Sequence, residues 1–226
     1  MNETFVREVE ENLRRDQMRD FGKKYGVWIA LLVILFLVAS GGYIYWQQQQ
    51  AERSQQQVEE LAQVYKTIAS NSLNGVPEKL DELAKSGSKA VRASALFTRA
   101  AIALDKNDTK LAIAKYQELA NDKGLPRPYR DAALVRQTTL QFDELKPEEV
   151  ISRMEPLAKP ANPWFGTAGE LTAVALLKQG KRGDAGQLYA AIAKDKGVPD
   201  TIRARAVQIA SSLGVDASNA LPAPAQ

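Results

Sequence analysis

The chain has 226 residues, of which 45% are hydrophobic and 25% charged, with a formal net charge of +3. That is enough apolar material for a packed core, and too mild a basic excess for a nucleic-acid surface, which needs a concentrated basic stripe. With no cysteine and no histidine, thiol nucleophiles, disulfides, Cys/His zinc sites and histidine triads are excluded, while carboxylate and Ser–Lys chemistry stay open.

Residues 1–26 form a charged leader in which Phe5, Val6, Val9 and Leu13 fall at helical spacing, with Phe21 extending the stripe. The spacing predicts a short helix at a membrane surface; a docking handle for a cytoplasmic partner is the alternative. Val27–Trp46, VWIALLVILFLVASGGYIYW, then runs 20 residues without a formal charge. A helix needs ~20 such residues to cross ~30 Å of hydrocarbon. Tyr25 and Trp28 at one end, and Tyr43, Tyr45 and Trp46 at the other, suit the two headgroup layers. Arg14, Arg15, Arg19, Lys23 and Lys24 precede the span, whereas only Arg53 and Lys66 follow it closely. Excess Lys/Arg stays inside, so the N-terminus is expected in the cytoplasm and the remainder exported. The competing reading is a cleaved signal peptide with Val38-Ala39-Ser40 as the processing site. The acid-rich leader and the apolar stretch that resumes after Gly41-Gly42 argue against it.

Tyr43 to Leu73 contains no Gly or Pro, so the glutamine-rich residues 47–57 read as a helical stalk. At ~1.5 Å per residue it would span ~16 Å. Val58, Leu61, Ala62, Tyr65, Ile68 and Ala69 mark an apolar stripe, which turns the stalk into the first packed helix. Helical runs then follow at 76–85, 89–105, 109–121, 128–143, 147–158, 164–179, 182–195 and 200–213. Gly87, Gly124, Gly180, Gly197 and Gly214 are expected to close helices in the left-handed conformation. Ser88 is expected to cap the helix at 89, and Asn162 to cap one opening at Pro163. No alternating run long enough for a strand appears. The tail 215–226, DASNALPAPAQ in its last eleven residues, reads as disordered.

Two phrases, DKGLP at 122–126 and DKGVP at 195–199, expose a repeat. At their offset of 73 residues, Ala112, Tyr116, Leu119 and Ala120 fall on Ala185, Tyr189, Ile192 and Ala193, and Arg130 falls on Arg203. First helices begin near 89, 128, 164 and 200, a step of 35–40 residues that is the period of stacked helical hairpins. The fold class expected is all-α: one N-terminal transmembrane helix, then a stack of hairpins over residues 58–214. Small-then-aromatic spacing at Ala112/Tyr116 and Ala185/Tyr189, with Ala100 and Ala173 twelve residues earlier, resembles the tetratricopeptide repeat. The usual Trp of its first helix is absent, and the pair 128–158 fits by helix length alone.

No catalytic constellation emerges. Ser86-Gly87-Ser88-Lys89 has the Ser-x-x-Lys spacing without its companion elements, and reads as a turn. Arg182-Gly183-Asp184 opens a helix, and Gly180-Lys181-Arg182 lacks the residues of a phosphate loop. The expectation is a non-enzyme without cofactor or metal. In stacked hairpins the first helices line a concave groove. Phe97, Glu170 and Lys178, together with Trp164 and Phe165, are the candidate groove residues, although aromatics at such positions are more often core.

The leader FVREVEENLRRDQ, the following KKYG, the span, the Gln-rich exit and the degenerate repeats together resemble the YfgM-like proteins of bacterial inner membranes, the alphaproteobacterial branch in particular. The resemblance implies an ancillary subunit of the SecYEG translocon: single-pass, N-terminus cytoplasmic, with a periplasmic repeat domain that contacts translocating proteins and periplasmic chaperones. It implies no catalytic residues. A scaffold that organises cell-envelope or cell-division machinery, or that pairs with itself through the groove, is the alternative for the same architecture. Nucleic acid is not an expected partner; the lipid bilayer is, through Val27 to Trp46.

Overall fold

The computed structural model describes residues 3–220, with side chains described from Trp28 onward except at Ile29, Ala30 and Val33. The leader stripe of Phe5, Val6, Val9, Leu13 and Phe21 therefore lies outside the described side chains, and residues 221–226 lie outside the described structure. The described residues hold nine α-helices and a terminal 3-10 turn, and no strand. They divide into two units, 1–56 and 57–226.

The first unit is helical from Glu3, as part of α1 (Glu3–Ala69). Leu31, Leu32, Ile34, Leu35, Phe36, Leu37 and Val38 are all more than half exposed. Successive side chains on a helix point around its whole circumference, so this stretch has no polar face. Among the described residues no helix is long and apolar enough to cross a membrane. Val27, Ile29, Ala30 and Val33 of the expected span are outside the described side chains.

The second unit begins with the last turns of α1 and continues through α2 (Val76–Leu83), α3 (Lys89–Asp105), α4 (Thr109–Asn121), α5 (Arg127–Leu140), α6 (Pro147–Met154), α7 (Phe165–Lys178), α8 (Arg182–Lys194) and α9 (Asp200–Ser212). Each helix packs chiefly on its neighbours in sequence, the signature of stacked hairpins; α6, only eight residues long, leans mainly on α7. Ala100, Ala112, Ala173 and Ala185 are fully buried, with Tyr116 and Tyr189 beside them. Absent side-chain bulk lets two helices approach, and the ring one turn on fills the wider gap. The cores follow in series. Leu61, Leu80, Leu96 and Leu119 anchor the first, Val150, Met154 and Leu157 the middle one, and Phe165, Ile192 and Val207 the last.

The helix order and starts expected from sequence are present; several ends differ for identifiable reasons. The run expected to 158 stops at Met154 because Pro156 brings no backbone N–H to continue it. The run expected to 143 stops at Leu140, and Phe142 then turns in to pack on the middle core. Ser88 occupies the N-cap place of α3, but its own N–H donates to Ser86 Oγ at 2.9 Å and its side chain caps nothing. Asn162 Oδ1 accepts from Trp164 N at 2.8 Å, so α7 opens at Phe165, beyond Pro163. Residues 215–220 are packed, correcting the expectation of a disordered tail from 215. Ala217 and Ala220 are buried, Val215 lies over Gly186, where a Cβ would meet Val215 Cγ2 at 2.7 Å, and Arg203 donates to Ala220 O at 3.1 Å.

The DKG phrases work differently from the expectation. Gly180 and Gly214 do take positive φ, at 75° and 85°, but Gly124 and Gly197 do not. Instead Asp122 Oδ1 accepts from Gly124 N, and Asp195 Oδ1 from Gly197 N, each at 2.8 Å. A Cβ on either glycine would sit 3.0 or 3.1 Å from that oxygen, so the glycine is needed for close approach. The second carboxylate oxygen reaches back to the start of the same hairpin. Asp122 Oδ2 takes Arg92 of α3 at 2.8 Å, and Asp195 Oδ2 takes the N–H of Ala161, ahead of α7, at 3.0 Å. Ala161 has φ 66°, a strained value for a residue with a Cβ, and the aspartate holds it there.

The N–H of Ala161, and next that of Gly197, keep the Asp195 carboxyl below its ordinary value of 3.8. A depressed carboxyl contributes stability above the unfolded value and loses it as pH falls through the lower folded one. Burial works against Asp81, but Lys115 and Arg99 outweigh it, so its carboxyl is lowered too and adds to the same acid loss. Asp195→Asn is therefore expected to be less stable at pH 7 by roughly 1 kcal/mol, discounted for solvent screening. Its urea midpoint should also fall less than the parent's between pH 5 and pH 3. An equal fall in the two proteins would remove Asp195 from the acid response.

Candidate partner-binding concavities

The first helices α3, α5, α7 and α9 carry the side chains that line two concavities, and the tyrosines of α4 and α8 form their floors. The first, about 390 Å³, is bounded by Phe97, Thr98 and Ala101 of α3, Tyr116 of α4, Ala132 and Arg136 of α5, and Trp164. The second, about 620 Å³, is bounded by Glu170, Leu171 and Val174 of α7, Tyr189, and Arg205 and Ile209 of α9. Thr139, Phe142 and Asp143 complete it from the end of α5. Adding 73 to the first six residues of the first list gives the six of the second, in order: Phe97 to Glu170, Thr98 to Leu171, Ala101 to Val174, Tyr116 to Tyr189, Ala132 to Arg205 and Arg136 to Ile209. The repeat has built the same place twice and furnished it differently.

The first concavity is aromatic and cationic. The Phe97 and Tyr116 rings lie 6.0 Å apart at 58°, and the Arg136 guanidinium sits 5.9 Å from the Phe97 centroid. Such tilted ring pairs and cation–π arrangements favour a fixed geometry. Tyr65 of α1 meets Thr98 hydroxyl to hydroxyl at 3.3 Å. The second concavity is ion-paired. Arg205 Nε and a terminal guanidinium nitrogen donate to both Glu170 oxygens at 2.7 and 2.6 Å. That fork keeps the guanidinium protonated to higher pH. Burial, then the nearby Glu170 charge, pushes the Tyr189 hydroxyl up, with Arg205 opposing. Lys178 pairs with Asp143 at 2.9 Å and lies 4.4 Å over the Phe142 ring.

Of the groove residues expected from sequence, Phe97 and Trp164 come together in the first concavity. Glu170 lines the second, and Lys178 reaches its rim through Asp143. Phe165 is a correction. It is 1% exposed and packs with Ala173, Ala185 and Ile192 in the last core, where Gly169 leaves room for Ile192 beside its ring. Sequence reasoning missed Arg136 and Arg205, and read the two tyrosines as hairpin filler alone. The signal for both concavities was the offset of 73, applied to Phe97 and Glu170. Among the described residues no cluster of three or more acidic side chains could hold a metal ion.

A series of antiparallel helical hairpins, with a duplicated concave face of aromatic and charged side chains, defines a helical-repeat interaction scaffold. The chain belongs to the tetratricopeptide repeat-like domain family, whose profile matches residues 19–210 and so takes in the apolar segment as well as the repeats. Comparison with curated proteins and with solved structures gives no match.

Proposed function

We propose that this chain is a single-pass scaffold of the bacterial inner membrane, held by Val27–Trp46 with its N-terminus in the cytoplasm. Its periplasmic repeats associate with the SecYEG translocon and pass emerging secreted chains to periplasmic chaperones. The observation that carries the reading is the pair of equivalent concavities, two like places in series on one concave face, which suits an extended chain rather than a compact small molecule. The fully apolar circumference at Leu31–Val38 supports the anchor, since such a surface is costly in water and matched to lipid. The resemblance to YfgM-like proteins in leader, span and Gln-rich exit supplies the translocon as partner. An anchor helps because it confines the concave face to the membrane, raising its effective concentration for chains that emerge there.

Full-length protein is expected to co-purify with the translocon from membranes. Deleting residues 1–46 is expected to abolish this and to leave a soluble helical domain, because none of the three cores uses a residue before Leu61. Equal binding of the translocon by the detached repeats would overturn the tether. Recovery of cell-wall enzymes in place of the translocon would favour an envelope-organising scaffold.

A further inference from the structure

We infer that the first concavity recognises an extended peptide through an aromatic side chain set next to a carboxylate, the ring entering between Phe97, Tyr116 and Trp164 and the carboxylate meeting Arg136. The inference rests on the reading that the concave face holds extended clients, and adds the chemistry of what it holds.

Charge complementarity carries it. Among the described residues bordering the two concavities, Arg205 is taken by Glu170 through two short hydrogen bonds, and Lys178 by Asp143. Arg136 is exposed, and its partner is the face of the Phe97 ring. At 5.9 Å from the ring centroid the guanidinium keeps N–H groups for a further partner, and its fork is the geometry that takes a carboxylate bidentately. A ring contact offsets only part of the charge, so an incoming carboxylate gains more here than at a cation already paired.

The repeat provides an internal comparison. Where the second concavity has Glu170 and Arg205, the first has Phe97 and Ala132. The second is therefore closed by a carboxylate and a guanidinium of its own, set against Tyr189. The first, against Tyr116, has an aromatic wall and a cation with no carboxylate of its own. A volume of about 390 Å³ is at the small end of ligand pockets, which run from roughly 300 to 1,000 Å³, and suits one ring with its neighbouring groups. Trp, Tyr and Arg are also the residues that most often dominate binding energy.

The test uses full-length protein in detergent micelles and fluorescence anisotropy with labelled Gly/Ser peptides carrying Phe-Asp, Phe-Asn or Ala-Asp at the centre. Phe-Asp is expected to bind at least tenfold more tightly than either of the others. Arg136→Gln, an exposed change, is expected to erase the distinction between Phe-Asp and Phe-Asn while leaving the melting curve unchanged. The double variant Phe97→Glu/Ala132→Arg, which writes the second concavity's pair into the first, is expected to abolish binding of all three. Equal affinity for Phe-Asp and Phe-Asn in the parent protein, with binding still lost in the double variant, would overturn the carboxylate preference and leave the peptide-binding face standing. A preference for Phe-Asp that survives Arg136→Gln would overturn the role of Arg136. No binding of any peptide would overturn the peptide-binding face itself.

Discussion

Phe165→Ala is expected to lower the unfolding free energy by about 3–5 kcal/mol, the usual cost of deleting a buried ring and leaving a cavity. Small domains hold only ~5–15 kcal/mol in total, so this is a large fraction of the margin. The ring is 1% exposed, and Ala173, Ala185, Ile192 and Val198 share its core. Collapse into the cavity is restricted, because Gly169 and Ala173 have no longer side chain to swing in. In a stack where each hairpin touches its neighbours, the loss stays local. Amide exchange should rise in α7, α8 and α9 well before it rises around Leu80, Leu96 and Leu119, which belong to the first core. Peptide binding at the first concavity should be retained. A variant with native stability and weakened binding would return Phe165 to the groove.

The adjacent pair Trp164 and Phe165 shows what the sequence could and could not carry. Both are aromatic and open the same helix, yet one step of ~100° around a helix sends one ring to a concavity and the other to the core. No local signal distinguishes them; the packing of α8 and α9 decides. The helix order was legible because punctuation is local. A proline removes a donor wherever it stands, as Pro126 and Pro199 do at the N-caps of α5 and α9. The small-to-aromatic spacing was legible too, since Ala112 with Tyr116, and Ala185 with Tyr189, read the same at an offset of 73.

The concavities were hidden in that same offset. Of their six paired positions only the tyrosine is shared; Phe97 stands against Glu170, Ala132 against Arg205, Arg136 against Ile209. The different side chains at these positions had removed the similarity that revealed the frame. The packed segment 215–220 was hidden for another reason. It has no long apolar side chain, and docks because Gly186 offers a place for Val215 and Arg203 a donor for Ala220. Both are features of distant residues.

The central claim is that the concave face meets secreted chains as they leave the translocon, and the largest effect it predicts is a difference between faces of one molecule. A photo-crosslinking amino acid at Ala101 or at Val174, the equivalent positions of the two concavities, samples that face directly. Gln117 of α4 and Gln187 of α8 are exposed positions on the second helices and serve as controls. On irradiation of living cells making the full-length protein, adducts to secretory precursors and translocon subunits are expected from Ala101 and Val174, and few or none from Gln117 and Gln187. Stopping the supply of nascent secreted chains should remove the precursor adducts. Equal adducts from all four positions, or adducts from the concave positions to cell-wall enzymes alone, would contradict the account.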